Sequence, residues 1–226
     1  EGDAGGAIVD TAGGVAIDNS VTASANEANA YGLYIGNNSL VPQTLIRGRL
    51  VGAAGSETTA YTAYAMFIGA GADVAALANS GTISAQYYGE TGDAVAIIDQ
   101  SNTLATITNS GTIQAQVIAT DSDPLDNIPP PPITGSAVAI DVSASTIGVT
   151  LNQVADTPFT DDDAVDNDSG GRPPVAIEGD ILFGSGADTV NLQAGAITGD
   201  ISFGAGADVF FIDNGATFLG QLSDSD

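Results

Sequence analysis

The sequence predicts an all-β chain wound into a right-handed parallel β-helix (β-solenoid) of about seven coils with projecting loops, and three observations carry that expectation. Short apolar segments recur along the chain, two independent markers share a spacing of about 30 residues, and the composition favours strand over helix. Residues 1–226 are expected to form one continuous stack.

Composition sets the class. The 29 Gly are spread between short β-branched runs, where they read as turn punctuation. Thr, Val, Ile, Ser and Asn are plentiful, whereas Lys is absent and Glu scarce, so the usual fillers of exposed helical faces are missing. The hydrophobic fraction is 43%, but it is carried mainly by Ala, Val and Ile with no Trp, which implies a thin, closely spaced interior.

The repeats define the coil. An apolar triplet ending in Ile occurs at Val15-Ala16-Ile17, Leu33-Tyr34-Ile35, Met66-Phe67-Ile68, Val95-Ala96-Ile97, Val138-Ala139-Ile140 and Val175-Ala176-Ile177. The pentapeptide Asn-Ser-Gly-Thr-Ile occurs at Asn79 to Ile83 and again at Asn109 to Ile113, 30 residues later, close to the 29 between Met66 and Val95. Within 92–118 one unit reads as three strands, Val95 to Ile98, Leu104 to Thr108 and Thr112 to Ile118. Such a unit cannot bury its inward face alone, but units stacked at ~4.8 Å can. Asn and Gly, which tolerate positive φ, are expected to round the corners.

Three stretches lengthen the rhythm and are expected as loops: residues 40–60, 121–134 and 156–174. The last two are too polar and proline-rich for a sheet interior. From 175 to 220 the coils become shorter and more regular, with Phe183-Gly184 answered by Phe203-Gly204 at an offset of 20.

Charge narrows the partners. Arg47, Arg49 and Arg172 stand against 28 acidic residues, a formal net charge of −25. That field repels phosphate backbones, so nucleic acid is not an expected partner. Its simplest role is to keep a strand-rich surface from self-associating. With no Cys there is no disulfide framework. A chain that opens on Glu1-Gly2-Asp3 and has no run of ~18 apolar residues is expected to be a soluble, mature or trimmed segment that does not itself insert into a membrane.

Two motifs are candidates for a metal. Gly-x-Gly-x-Asp occurs three times, ending at Asp73, Asp188 and Asp208, and looks like part of the calcium nonapeptide of RTX β-rolls. In those rolls the motif recurs every nine residues, supplying two half-sites per ion; here the last two copies are 20 apart and are preceded by Phe183 and Phe203. The competing reading is a corner in which Gly makes the turn and Asp caps backbone N–H groups. The acidic run containing Asp161, Asp162 and Asp163 is the second candidate, against a solvated loop. No other cofactor is expected.

Without His, Cys and Lys, the common general base, the thiolate nucleophile and Schiff-base chemistry are all missing. Carboxylate chemistry remains, and a polysaccharide-degrading β-helix enzyme working through several Asp is the catalytic alternative. Three Arg in the whole chain are few to hold an anionic sugar, so no enzyme activity is expected. Tyr31, Tyr34, Tyr61, Tyr64, Tyr87 and Tyr88 lie near equivalent corners, either as an exposed ladder for a glycan or protein or as filling for the coils.

Over roughly residues 60–220 the order of these segments resembles the distal passenger region of bacterial autotransporters of alphaproteobacterial type. The residues that carry the likeness are "TLATITNSGTIQAQ", "SAVAIDVSASTIGVTLNQ" and "IEGDILFGSGADTVNLQAGAITGDISFGAGADVFFIDNGATFLG". The resemblance implies a β-helical passenger exported through the outer membrane by a C-terminal translocator barrel, which the sequence does not include. It also implies an extracellular or outer-membrane surface location. The expected role is a rigid, non-catalytic stalk or adhesin segment that meets a cell-surface glycan or protein. A structural subunit of an ordered surface assembly, in contact with copies of itself, is the alternative.

Overall fold

The structure is a computed structural model that describes residues 4–9, 14–56, 58–120, 131–156, 174–213 and 215–225, with side chains described from residue 14. Among these residues there are 22 strands and no helix. The strands form three sheets of eight, seven and seven, here A, B and C, and every pairing is parallel. The chain visits A, B and C in turn and then returns to A one rung higher, which is the path of a parallel β-helix. Its sheet A strands are Ala4–Val9, Ala30–Ile35, Thr62–Ile68, Asp93–Asp99, Ala137–Asp141, Asp180–Leu182, Ile201–Ser202 and Leu222–Ser223. The first seven begin coils 1 to 7, and the eighth begins another rung.

Inward residues form columns that run through the stack. In sheet A, Leu33, Met66, Ile97, Ile140, Ile181 and Ile201 lie one over another, all without solvent exposure. In sheet C the column is Val21, Leu50, Ile83, Ile113, Ile177, Ile197 and Phe218. Sheet B adds Leu77, Ile107, Leu151, Val190 and Phe210. These columns belong to one hydrophobic cluster that extends from Ile17 to Phe203.

A second sheet B column changes chemistry midway: Ile17, Ile46, Asn79, Asn109, Gln153, Leu192 and Ile212. Its three amides are buried and linked. Asn79 Nδ2 donates to Asn109 Oδ1 at 2.8 Å, and Asn109 Nδ2 to Gln153 Oε1 at 3.2 Å. Gln153 Nε2 donates on to the carbonyls of Ala194 and Ala196. The Oδ1 atoms of Asn79 and Asn109 also accept from the N–H groups of Gly81 and Gly111, which fixes each turn. An amide in an apolar column is tolerable only when satisfied in this way.

Several expectations meet their outcome here. In coil 4 the strands are Asp93–Asp99, Thr106–Asn109 and Thr112–Ile118, three to a coil as the repeat unit implies. Residues 40–60, expected as a loop, instead carry Gln43–Ile46 in sheet B and Arg49–Gly55 in sheet C, ordinary rungs paired above and below. The Ile-tipped triplets are not equivalent either: Val15–Ile17 is a sheet B strand, while Ile177 belongs to sheet C. Even within sheet A, Ile97 stands over Met66 and Asp99 over Ile68, a shift of two positions. The corner glycines Gly81 and Gly111 are not at positive φ. Glycine is required there because a Cβ on Gly111 would lie 2.1 Å from the Gly81 carbonyl oxygen of the coil below. Of the two later loops, residues 131–134, 156 and 174 are described, and the rest lie outside the described residues.

One inward position is unsatisfied. Thr44, buried between Val15 and Leu77, holds its Oγ1 without a partner. Thr44→Val is expected to stabilise the fold by about 1 kcal/mol, whereas Asn109→Ala, which breaks both amide links, costs about 2–3 kcal/mol. Urea unfolding of the two variants beside the parent reads both shifts; shifts of the same sign would refute this account of the ladder.

Candidate functional site

Each Gly-x-Gly-x-Asp motif forms a corner between sheet A and sheet B, but the three are not alike. Asp73 is exposed, and its backbone continues the stack: its N–H donates to the Ser39 carbonyl at 2.8 Å and its carbonyl accepts from Val41. The neighbouring Val74 N–H is capped by Thr103 Oγ1 from the next coil, at 2.8 Å. In coils 5 and 6 the same device uses carboxylates. Asp188 Oδ1 accepts from Val149 N–H at 2.7 Å, and Asp208 Oδ1 accepts from Asp188 N–H at 2.7 Å. A side-chain oxygen of one coil thus satisfies a corner N–H of the coil beneath it.

The glycines make this approach possible. A Cβ on Gly204 would lie 1.9 Å from the Gly184 carbonyl oxygen, and Gly204 itself adopts φ +77°. Asp188 and Asp208 are therefore brought together on successive coils. Asp73, on coil 3, stands apart from them. Asp161, Asp162 and Asp163 lie outside the described residues.

Asp188 has no solvent exposure. Burial pushes its carboxyl up to about 6; the Val149 N–H opposes that rise, and negative charge on Asp208 adds to it. The second oxygens, Asp188 Oδ2 and Asp208 Oδ2, are both buried and without a hydrogen-bond partner. A calcium shell takes six to eight oxygens. Among the described residues, no group of three or more acidic side chains is placed to hold a metal ion.

The tyrosines divide by position. On the outer face of sheet A, Tyr31 stacks on Tyr64 with centroids 5.1 Å apart, and Tyr34 on Phe67 at 5.3 Å. Within a coil the rings meet edge to face, Tyr64 and Phe67 at 86°. Val95 and Ile98 continue the two columns in the next coil. These rings thus lie within sheet A strands and not at corners, and with their faces turned on one another they cover the outside of the sheet instead of filling the coils. Tyr87, near the end of the sheet C strand Thr82–Tyr88, is fully buried, with its hydroxyl donating to the Thr59 carbonyl at 3.1 Å. Tyr88 is the exposed exception, at 43%.

Of the basic residues, Arg47 and Arg49 are both exposed in coil 2, Arg47 in an ion pair with Asp18, and Arg172 lies outside the described residues. At the last rung a cavity of about 230 Å³ is lined by Phe203, Asp208, Phe210, Leu222, Ser223 and Asp224. Sequence reasoning missed the amide ladder and the coupling of Asp188 to Asp208. The first was signalled by Leu77-x-Asn79 and Ile107-x-Asn109, where alternation places the Asn on the inward phase.

Comparison with known proteins finds no match to a family model, a curated protein or a solved structure.

Truncating Tyr64 removes a stacked ring and an edge contact together. Tyr64→Ala is expected to cost about 2–3 kcal/mol and Tyr64→Phe less than about 1 kcal/mol, read by denaturant unfolding. A Tyr64→Ala protein as stable as the parent would mean that the ladder is free to serve a ligand.

Proposed function

We propose that the chain is a segment of a bacterial autotransporter passenger, a rigid and non-catalytic stalk or adhesin portion displayed on the outer-membrane surface or released outside the cell. The observation that carries this reading is the unbroken run of parallel rungs over a single core. Each coil adds ~4.8 Å to the length and contacts chiefly its immediate neighbours. Such a stack gains reach without changing its cross-section plan, and it can form rung by rung as a chain emerges. The formal charge of −25 keeps its outer faces solvated and unpaired. A binding partner, a surface glycan or protein, would be met by loops or by a more distal element.

Antibody raised against the purified chain is expected to label intact cells of the producing organism, and added protease to remove the label. Labelling only after permeabilisation would overturn the passenger reading.

A further inference from the structure

Charge placement along the stack isolates one pair. In every described strand pairing, no acidic residue is in register with another: Asp141 lies between Ile98 and Leu182, Glu178 between Gln114 and Thr198, Asp180 beside Val138. Parallel stacking would otherwise hold like charges one rung apart, which is destabilising. Off the strand register the rule is broken. Asp180 and Asp200 are on successive coils, with Asp200 N–H donating to Asp180 Oδ1, but Asp200 is exposed and water screens the pair. Asp188 and Asp208 share the same spacing of 20 residues, and Asp188 is completely buried.

Asp188 is buried and Asp208 partly exposed, and each carboxyl has one oxygen in use and one orphaned. Oδ1 of each accepts a backbone N–H from the coil below, while both Oδ2 atoms are buried without a donor. Two adjacent anions with two orphan acceptors, out of reach of water, are too costly to persist. Among the described residues no cation relieves them: the corner of coil 5 (Val142 to Val149) and the rest of the coil 6 corner (Phe183 to Ala187) contain no ionisable residue, and Arg47 and Arg49 lie in coil 2. On the upper side the ionisable groups are Asp208 itself and Asp224, which lines the same cavity as Asp208.

We propose that Asp188 carries a proton, a neutral acid that secures coil 6 between coils 5 and 7, and that this corner loosens when the proton leaves. A single proton on Asp188 Oδ2 removes the fully buried charge and its repulsion by Asp208. Both Oδ1 atoms keep their backbone N–H groups.

The direction of the response follows from burial, which raises the Asp188 carboxyl to about 6 from an ordinary 3.8. The folded chain binds this proton more tightly than the unfolded chain does. Asp188 therefore contributes its full stability below about 3.8 and loses that contribution as pH rises through about 6. Coils 6 and 7 tighten in mildly acidic surroundings and loosen in neutral to alkaline ones.

Amide hydrogen exchange on the whole chain, with NMR titration of the Asp188 carboxyl, tests the proton's role. Protection of the Val149 and Asp188 amides, corrected for intrinsic exchange, is expected to fall about tenfold or more between about pH 5 and about pH 8. The Ile107 amide, in coil 4, serves as the reference for any general effect of acidification on so acidic a chain. Asp188→Asn places a permanent donor where the proton sits, so its protection at about pH 8 should match the parent's at about pH 5. Should that variant fold poorly, Asp208→Asn provides the second test: with the partner charge gone, the Asp188 carboxyl titrates lower than in the parent. An Asp188 carboxyl that titrates at the ordinary aspartate value overturns the proposal, as does protection that is equal at the two pH values. Recovery of the parent's protection at about pH 8 on adding millimolar calcium chloride would also overturn it, since a cation would then hold the pair.

Discussion

The structure depends on one constraint: a rung of this fold is only half made by itself. Each strand's N–H and C=O groups point along the stack axis and find partners only in the coil above and the coil below. Register is therefore inherited. Once Ala30 pairs with Ala63 and Ala63 with Ala94, the inward set Leu33, Met66 and Ile97 must be superimposed. A one-residue slip would turn that whole column to solvent. Interior columns, turn glycines and buried amides are consequences of this repetition.

At the corners the strand ladder lapses and other groups must take over the backbone's needs. The chain solves this in two ways. Where sheet B meets sheet C, Asn79 and Asn109 turn inward, accept from the glycine two residues on, and donate to the next amide in the column. Where sheet A meets sheet B, an oxygen from the following coil reaches down: Thr103 to Val74, Asp188 to Val149, Asp208 to Asp188. The same need met by a hydroxyl in one coil and by carboxylates in others has different electrostatic consequences. A neutral Thr cap can be buried freely, whereas a buried carboxylate cap adds a charge that something must offset.

Much of the architecture was legible because a solenoid writes its period into the sequence. The recurrence of Asn-Ser-Gly-Thr-Ile marked equivalent corners, and the three strands of coil 4 could be drawn from the repeat, Thr112–Ile118 to the residue and the other two within two residues. What failed has a common physical cause. All three sheets present the same alternation of small apolar residues to the same core, so a triplet such as Val15-Ala16-Ile17 carries no sign of which sheet it will join. Corner lengths vary without disturbing the rungs, which is why the longer interval at 40–60 looked like a loop although it contains two ordinary strands. The identical Gly-x-Gly-x-Asp motifs diverged for a related reason. Burial of the Asp depends on what the next coil places over it, and that is a property of the stack rather than of the pentapeptide.

The same reasoning explains how a chain of formal charge −25 tolerates a fold that superimposes equivalent residues. In a parallel stack a charged column would repeat its charge at every rung, so repeats with acidic strand positions would repel themselves apart. Here the outward strand columns are mainly neutral, for example Thr106, Thr150 and Thr189, or Asn152 and Asn191. The acids within strands stand in register with neutral neighbours, and those in corners mostly face water. Charge is thus dispersed between rungs while its total remains high, which keeps the surface hydrated without weakening the stack. Asp188 over Val149 and beneath Asp208 is the place where that dispersal gives way, and there the interior must either hold a proton or accept a looser joint between two coils.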